Sequence, residues 1–200
     1  MSTLQTANLK NASSGSNNIV LATDGSTTIT TLNSTTITGT SVRGVITSGT
    51  AVASTSGTSI DFTSIPSWVK RVTVMFSGVS TNGISNPLIQ IGTSSGIQST
   101  GYLCTGGSLA AAIYSNYTTG FGINAGAATN LLGGSFVLSL LDQSTGMWTI
   151  SGGVGRSDGA GLHLTYGSKT LSGTLDRLRI TTVNGTDTFD AGSINILYEG

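Results

Sequence analysis

Charge is what this chain has least of. Eight basic and eight acidic residues cancel, and together they make up 8% of 200 residues. About a quarter is usual in a globular protein. A neutral surface offers nothing to a phosphate backbone, so nucleic acid is not an expected partner. No basic amphipathic run marks a membrane-lying helix. No apolar stretch approaches the ~20 residues of a spanning helix, so no membrane insertion is expected. The start, Met-Ser-Thr-Leu-Gln-Thr-Ala-Asn, has no positive region followed by an apolar run. No secretory leader is therefore expected, and the chain should be made in a cytoplasm.

Cysteine, histidine and proline are also scarce. A single cysteine, Cys104, excludes an intrachain disulfide. In Tyr-Leu-Cys-Thr it reads as a small buried apolar residue. The single histidine, His163, lies between Leu162 and Leu164. On an alternating strand it would face away from them, outward. Two prolines, Pro66 and Pro87, and 29 glycines punctuate a chain rich in Thr, Val and Ile. Helix signals are nearly absent, and short strands joined by turns are expected. The β-branched content also argues against disorder despite the low charge.

The clearest strand lies within Ser59 to Asn82, from Lys70 to Ser77. There Val72, Val74 and Phe76 alternate with Arg71, Thr73 and Met75, the period of a half-buried strand. The first aromatic residues, Phe62 and Trp68, stand just before it. Asn82-Gly83 is a hairpin signal, and Pro87 suits a strand start before Leu88–Ile91. Residues 92–134, rich in Gly, Ser, Ala and Thr, read as long loops carrying Tyr102, Tyr114, Tyr117 and Phe121. Strands follow over Ser135–Leu141, Gly146–Ile150, Leu162–Tyr166, Thr174–Val183 and Ser193–Tyr198. In these, Phe136, Leu138 and Leu140 share a face, as do Leu178 and Ile180, and Ile194, Ile196 and Tyr198. Short strands at such spacing argue for a sandwich or jelly roll over residues 58–200.

Residues 1–57 have no aromatics and only scattered apolar residues. Ser26-Thr27-Thr28-Ile29-Thr30 recurs as Ser34-Thr35-Thr36-Ile37-Thr38, and Thr47-Ser48-Gly49-Thr50 as Thr55-Ser56-Gly57-Thr58. Both periods are eight, which suggests stacked short strands. Ordering each residue costs roughly 1–2 kcal/mol of backbone entropy. One copy has too little apolar surface to offset that, so several chains winding together are the expected solution. A flexible Ser/Thr linker is the alternative. Residues 1 to about 18 read as an extended arm ordered against another protein.

Two segments carry a family resemblance. Asp61-Phe62-Thr63-Ser64-Ile65-Pro66-Ser67-Trp68-Val69-Lys70-Arg71-Val72-Thr73-Val74-Met75-Phe76-Ser77-Gly78-Val79-Ser80-Thr81-Asn82-Gly83 resembles a module at the C-terminal ends of bacteriophage tail-fibre and related virion proteins. Gly173 to Glu199, including Leu175-Asp176-Arg177-Leu178-Arg179-Ile180 and Ser193-Ile194-Asn195-Ile196-Leu197-Tyr198, continues it. The opening, Thr3 to Gly15, resembles the starts of fibre-like proteins of phages that infect cyanobacteria. The resemblance implies a homotrimeric virion appendage. It supplies no catalytic motif and no agreed binding residues. For a tail fibre the chain is short, which leaves attachment to the head as an alternative.

The sites weigh as follows. A nucleophilic triad would need His163, but serine is everywhere, so no pairing is informative. Sugar cleavage could draw its paired carboxylates only from Asp142, Asp158, Asp176, Asp187, Asp190 or Glu199. Asp187 and Asp190, just after Asn184-Gly185, suit turn capping. Gly152-Gly153-Val154-Gly155-Arg156-Ser157-Asp158-Gly159 does not fit a dinucleotide fingerprint and reads as a turn loop. No Walker, zinc or EF-hand pattern occurs, and no cofactor or metal is expected. Asn33, Asn116 and Asn184 begin glycosylation sequons, chance matches in a Ser/Thr-rich chain without a leader. Tyr102, Tyr114 and Tyr117 are candidate sugar contacts, since a flat ring stacks on a sugar face. Packing in the core or between subunits is the competing role.

The reading is an all-β, trimeric protein. Residues 1–57 form a virion-attachment arm and intertwined stalk, and residues 58–200 a distal antiparallel β-sandwich. The expected function is non-catalytic contact with a host-surface glycan by a tail fibre. Capsid decoration is the alternative. A depolymerase spike is disfavoured by the shortage of carboxylates and histidine.

Overall fold

The computed structural model describes residues 46–200 throughout and, before them, Asn8–Leu9, Ile19–Leu21 and Thr27–Ile29. The chain divides into two compact units, Met1–Arg43 and Gly44–Gly200. In the first, β1 (Asn8–Leu9) pairs antiparallel with β2 (Ile19–Leu21), and β2 with β3 (Thr27–Ile29), in one three-stranded sheet. The second copy of the Ser-Thr-Thr-Ile-Thr repeat lies outside the described residues.

The second unit is built of β4 (Ile46–Ser48), β5 (Val52–Ala53), β6 (Ile60–Phe62), β7 (Arg71–Thr81), β8 (Pro87–Thr93), β9 (Gly96–Ile97), β10 (Tyr102–Ser108), β11 (Ile113–Tyr117), β12 (Phe121–Gly122), β13 (Leu132–Asp142), β14 (Met147–Arg156), β15 (Leu162–Thr170), β16 (Arg177–Thr182) and β17 (Phe189–Glu199). All pairings are antiparallel, and no described residue is helical. A nine-stranded sheet runs β11-β10-β15-β14-β13-β7-β17-β4, with β5 also on β17. A five-stranded sheet runs β12-β8-β16-β6, with β9 on β8.

The two sheets share one hydrophobic cluster. Val72, Val74 and Phe76 of β7 are buried, as expected from their alternation, with Phe136 and Leu138 of β13 and Ile194 and Ile196 of β17. Phe76 and Phe136 meet edge to face at 5.7 Å. The smaller sheet contributes Ile60, Phe62, Leu88, Ile89, Ile91, Phe121, Leu178 and Ile180. On β16, Arg177 and Arg179 turn away from that core. Arg179 grips Asp61 with two hydrogen bonds of 2.6 and 2.7 Å across β16–β6.

Several expectations are corrected. Asn82-Gly83 does not close a hairpin, because β7 and β8 belong to different sheets. The turn carries the chain from one sheet to the other. Asp187 fixes it by accepting from the Ser85 N–H (2.9 Å) and from Asn184 Nδ2 (2.6 Å). Its carboxylate fills the space a Cβ on Gly83 would need. Asp187 is thus a turn-capping residue, as read from the sequence. Residues 92–134 are not long loops: they hold β9 to β12. The glycine cluster is a turn only in its second part, Ser157–Gly159. Gly152, Gly153 and Gly155 lie inside β14, between β13 and β15. Gly152 has φ +148°, and a Cβ there would collide with the Ser135 carbonyl.

Sequence reasoning starts the distal domain at residue 58, but the compact unit starts at Gly44, because β4 and β5 pair with β17. Thr47-Ser48 falls largely in β4, while its repeat Thr55–Thr58 forms a bend. The eightfold period therefore does not give matching strands there.

Candidate functional site

A cleft of about 650 Å³ opens at one end of the second unit. Three segments surround it: Ser67–Lys70 before β7, the β13–β14 turn at Gln143–Gly146, and Leu171–Leu175 after β15. Each is pinned by backbone bonds. The Lys70 N–H reaches the Glu199 carbonyl at 2.8 Å, and the Leu171 N–H reaches the Gly146 carbonyl at 3.0 Å. Asp142 shapes the β13–β14 turn, accepting from the Ser144 N–H (2.8 Å), Ser144 Oγ (2.7 Å) and Thr145 Oγ1 (3.0 Å). The Ser144 bonds, chiefly, hold its carboxyl below the ordinary range.

The lining has two characters. Trp148, Leu171 and Leu175 are buried beneath it, and Trp68 stands at the rim with its surface 41% exposed. Around them are the exposed polar residues Ser67, Lys70, Gln143, Ser144, Thr145, Ser172 and Thr174. No carboxylate side chain lines this cleft, and its last lining residue, Gly200, packs against the Trp68 ring. A second depression of about 430 Å³ shares Ser67 and Ser172–Leu175 and extends to Thr93–Ser95 and Asp176. An indole face beside hydroxyl and amide groups can stack on one face of a sugar ring and hydrogen-bond its rim.

The three candidate tyrosines part company. Tyr102 is buried on β10. Its hydroxyl accepts from the Ile91 N–H (2.8 Å) and donates to the Gln98 carbonyl (2.8 Å). Its ring stands edge-on to Phe121 at 4.9 Å, and burial pushes its hydroxyl pKa up. Tyr117 is also buried and accepts from Asn86 Nδ2 at 2.8 Å. Neither ring presents a face to a ligand. Tyr114 is exposed, on β11 rather than on a loop.

His163 faces inward, contrary to the outward expectation, while Leu162 is exposed and Leu164 half-buried. Its Nδ1 lies 2.7 Å from the Asn124 carbonyl, so Nδ1–H donates. Nε2 has no partner. Asp158 pairs with Arg156 at 2.7 Å and accepts from the Leu131 N–H at 3.0 Å. Arg156 first, then that amide, lowers its pKa to about 2. Among the described residues, no group of three or more histidine, cysteine or acidic side chains could hold a metal.

In the sequence Trp68 stands out only as one of the first aromatic residues, far from residues 143–146 and 171–175. Nothing local marks their meeting, since it depends on which strand ends share one end of the sheets. No family model, no curated protein and no solved structure matches this chain.

Proposed function

We propose that this protein is a non-catalytic bacteriophage virion appendage, a homotrimeric tail fibre. Its first unit attaches it to other virion proteins. Its second unit, a jelly-roll-like sandwich, binds a glycan of the host surface. The cleft beside Trp68 is the observation that carries the binding role. It pairs a half-exposed indole with hydroxyl and amide groups, a combination that suits a sugar ring. The resemblance of Asp61–Gly83 and Gly173–Glu199 to tail-fibre modules supports the virion role. The cleft lacks the facing carboxyls that cleavage of a glycosidic bond uses, which favours binding without cleavage.

Replacing Trp68 by alanine tests the site. Affinity for the host's isolated surface polysaccharide should fall about tenfold or more, the scale of one lost ring-stacking contact with its buried area. Unchanged affinity would remove the cleft from the reading. Imaging the virion tests the setting. A few copies at the tail are expected, whereas many copies over the head would indicate capsid decoration.

A further inference from the structure

The outer face of the nine-stranded sheet carries an uncovered apolar patch at its β11 end. Leu103 is 74% exposed, Tyr114 65% and Tyr166 55%, and Leu109 (47%) and Leu162 (45%) are exposed beside them. The register brings them together. Gly107 on β10 lies opposite Tyr114 on one side and Leu164 on the other. Thr105 lies opposite Asn116 and Tyr166, one row along, and Leu103 opposite Ser168 in the next row.

The patch is flat for a reason of sequence. Gly107 has no side chain, and the Tyr114 ring lies where its Cβ would be. Gly153 does the same for Leu164. Ring and leucine therefore lie across the sheet instead of standing on it.

We propose that this face is where a second copy of this chain packs. Three observations choose that occupant. The first is charge: residues 102–118 contain no acidic or basic residue, and in 162–168 the one basic residue, His163, is buried facing the core. A surface that must meet its own copy carries no like-charge penalty here. The second is area. At roughly 200 Å² per large side chain, the exposed fractions above leave about 570 Å² uncovered, before the intervening Thr105, Asn116 and Ser168 are counted. That is at the upper end of the ~300–600 Å² of the largest patch on a typical monomer, and the polar residues between extend it towards the ~800 Å² per partner of a standard interface. The third is the edge. β11, Ile-Tyr-Ser-Asn-Tyr, ends the sheet. It carries none of the charges or prolines that protect exposed edges from pairing.

This face rests on the proposed homotrimer, whose threefold axis would run beside the patch so that the copies' patches meet there. The test uses the full chain with p-benzoylphenylalanine in place of Tyr166, and a control with it in place of Val183, which is exposed after β16. Irradiation should give interchain products from position 166 that map to residues 103–116 or 162–168 of another copy, and none from 183. A Tyr114→Lys/Tyr166→Lys variant that keeps its far-ultraviolet spectrum should associate at least tenfold more weakly. An oligomer without cross-linking at 166 would overturn this face and leave the trimer standing; a chain that sediments as a monomer would overturn both. A double variant that still assembles but no longer binds host polysaccharide would make the patch a ligand surface and overturn the proposal.

Discussion

At the scale of single residues, similar side chains take opposite roles according to what the strand register does with them. Tyr102 puts its hydroxyl between the Ile91 N–H and the Gln98 carbonyl. Tyr102→Phe would leave both without that partner, at a cost of about 1–3 kcal/mol. Denaturant unfolding reads this, and binding of saccharide should not change. Cys104 sits beside it in the core, and burial pushes its thiol up to about 11. The folded value is raised, so the proton is held more tightly in the native state. The contribution is complete below the ordinary thiol range near ~8.5 and is lost as pH rises towards the folded value. The thiol should therefore resist a thiol-specific reagent at pH 8 until denaturant is added. Prompt labelling of the folded chain would contradict the burial. The cysteine was legible from its neighbours. The tyrosines were not, because one-dimensional spacing does not reveal that Tyr102 and Tyr117 point inward while Tyr114 points out.

At the scale of elements, alternation was informative wherever large side chains carried it. β7, β13, β16 and β17 could be read because Val72, Phe136, Leu178 and Ile194 each begin or continue a run of period two. β10 and the second half of β14 could not. Their glycines are strand residues that make room for neighbours, Gly107 for the Tyr114 ring and Gly152 for the Ser135 backbone, and glycine otherwise signals a turn. The β7–β8 turn was misread because Asn-Gly fits a hairpin as well as a crossing between sheets. The β14–β15 turn is tied by Asp158 to the Leu131 N–H at the start of β13. The Asp158 pKa is lowered to about 2. This tie is therefore complete above the ordinary carboxylate range near ~4 and is lost as pH falls through the folded value. Exchange of the Leu131 amide should quicken between pH 4 and 2 beyond the intrinsic trend, and in Asp158→Asn it should already be fast at pH 6.

At the scale of the molecule, low charge and much hydroxyl surface leave hydrophobic burial and neutral hydrogen bonding as the means by which the proposed copies would hold together. The second unit has its own core, a cleft at one end and an uncovered flat face near the β11 edge. Composition and alternation made the all-β class legible. The cleft was not, since its lining is drawn from residues as far apart as Trp68 and Leu175. The most direct test is titration of full-length protein with the host's isolated surface polysaccharide, for the native sequence and for Trp68→Ala, followed by sizing of the polysaccharide. Saturable binding, weakened about tenfold by the substitution, with the polysaccharide chains left at their original length, is the predicted result. Absence of saturable binding, equal affinity in the variant, or shortened chains would contradict the account.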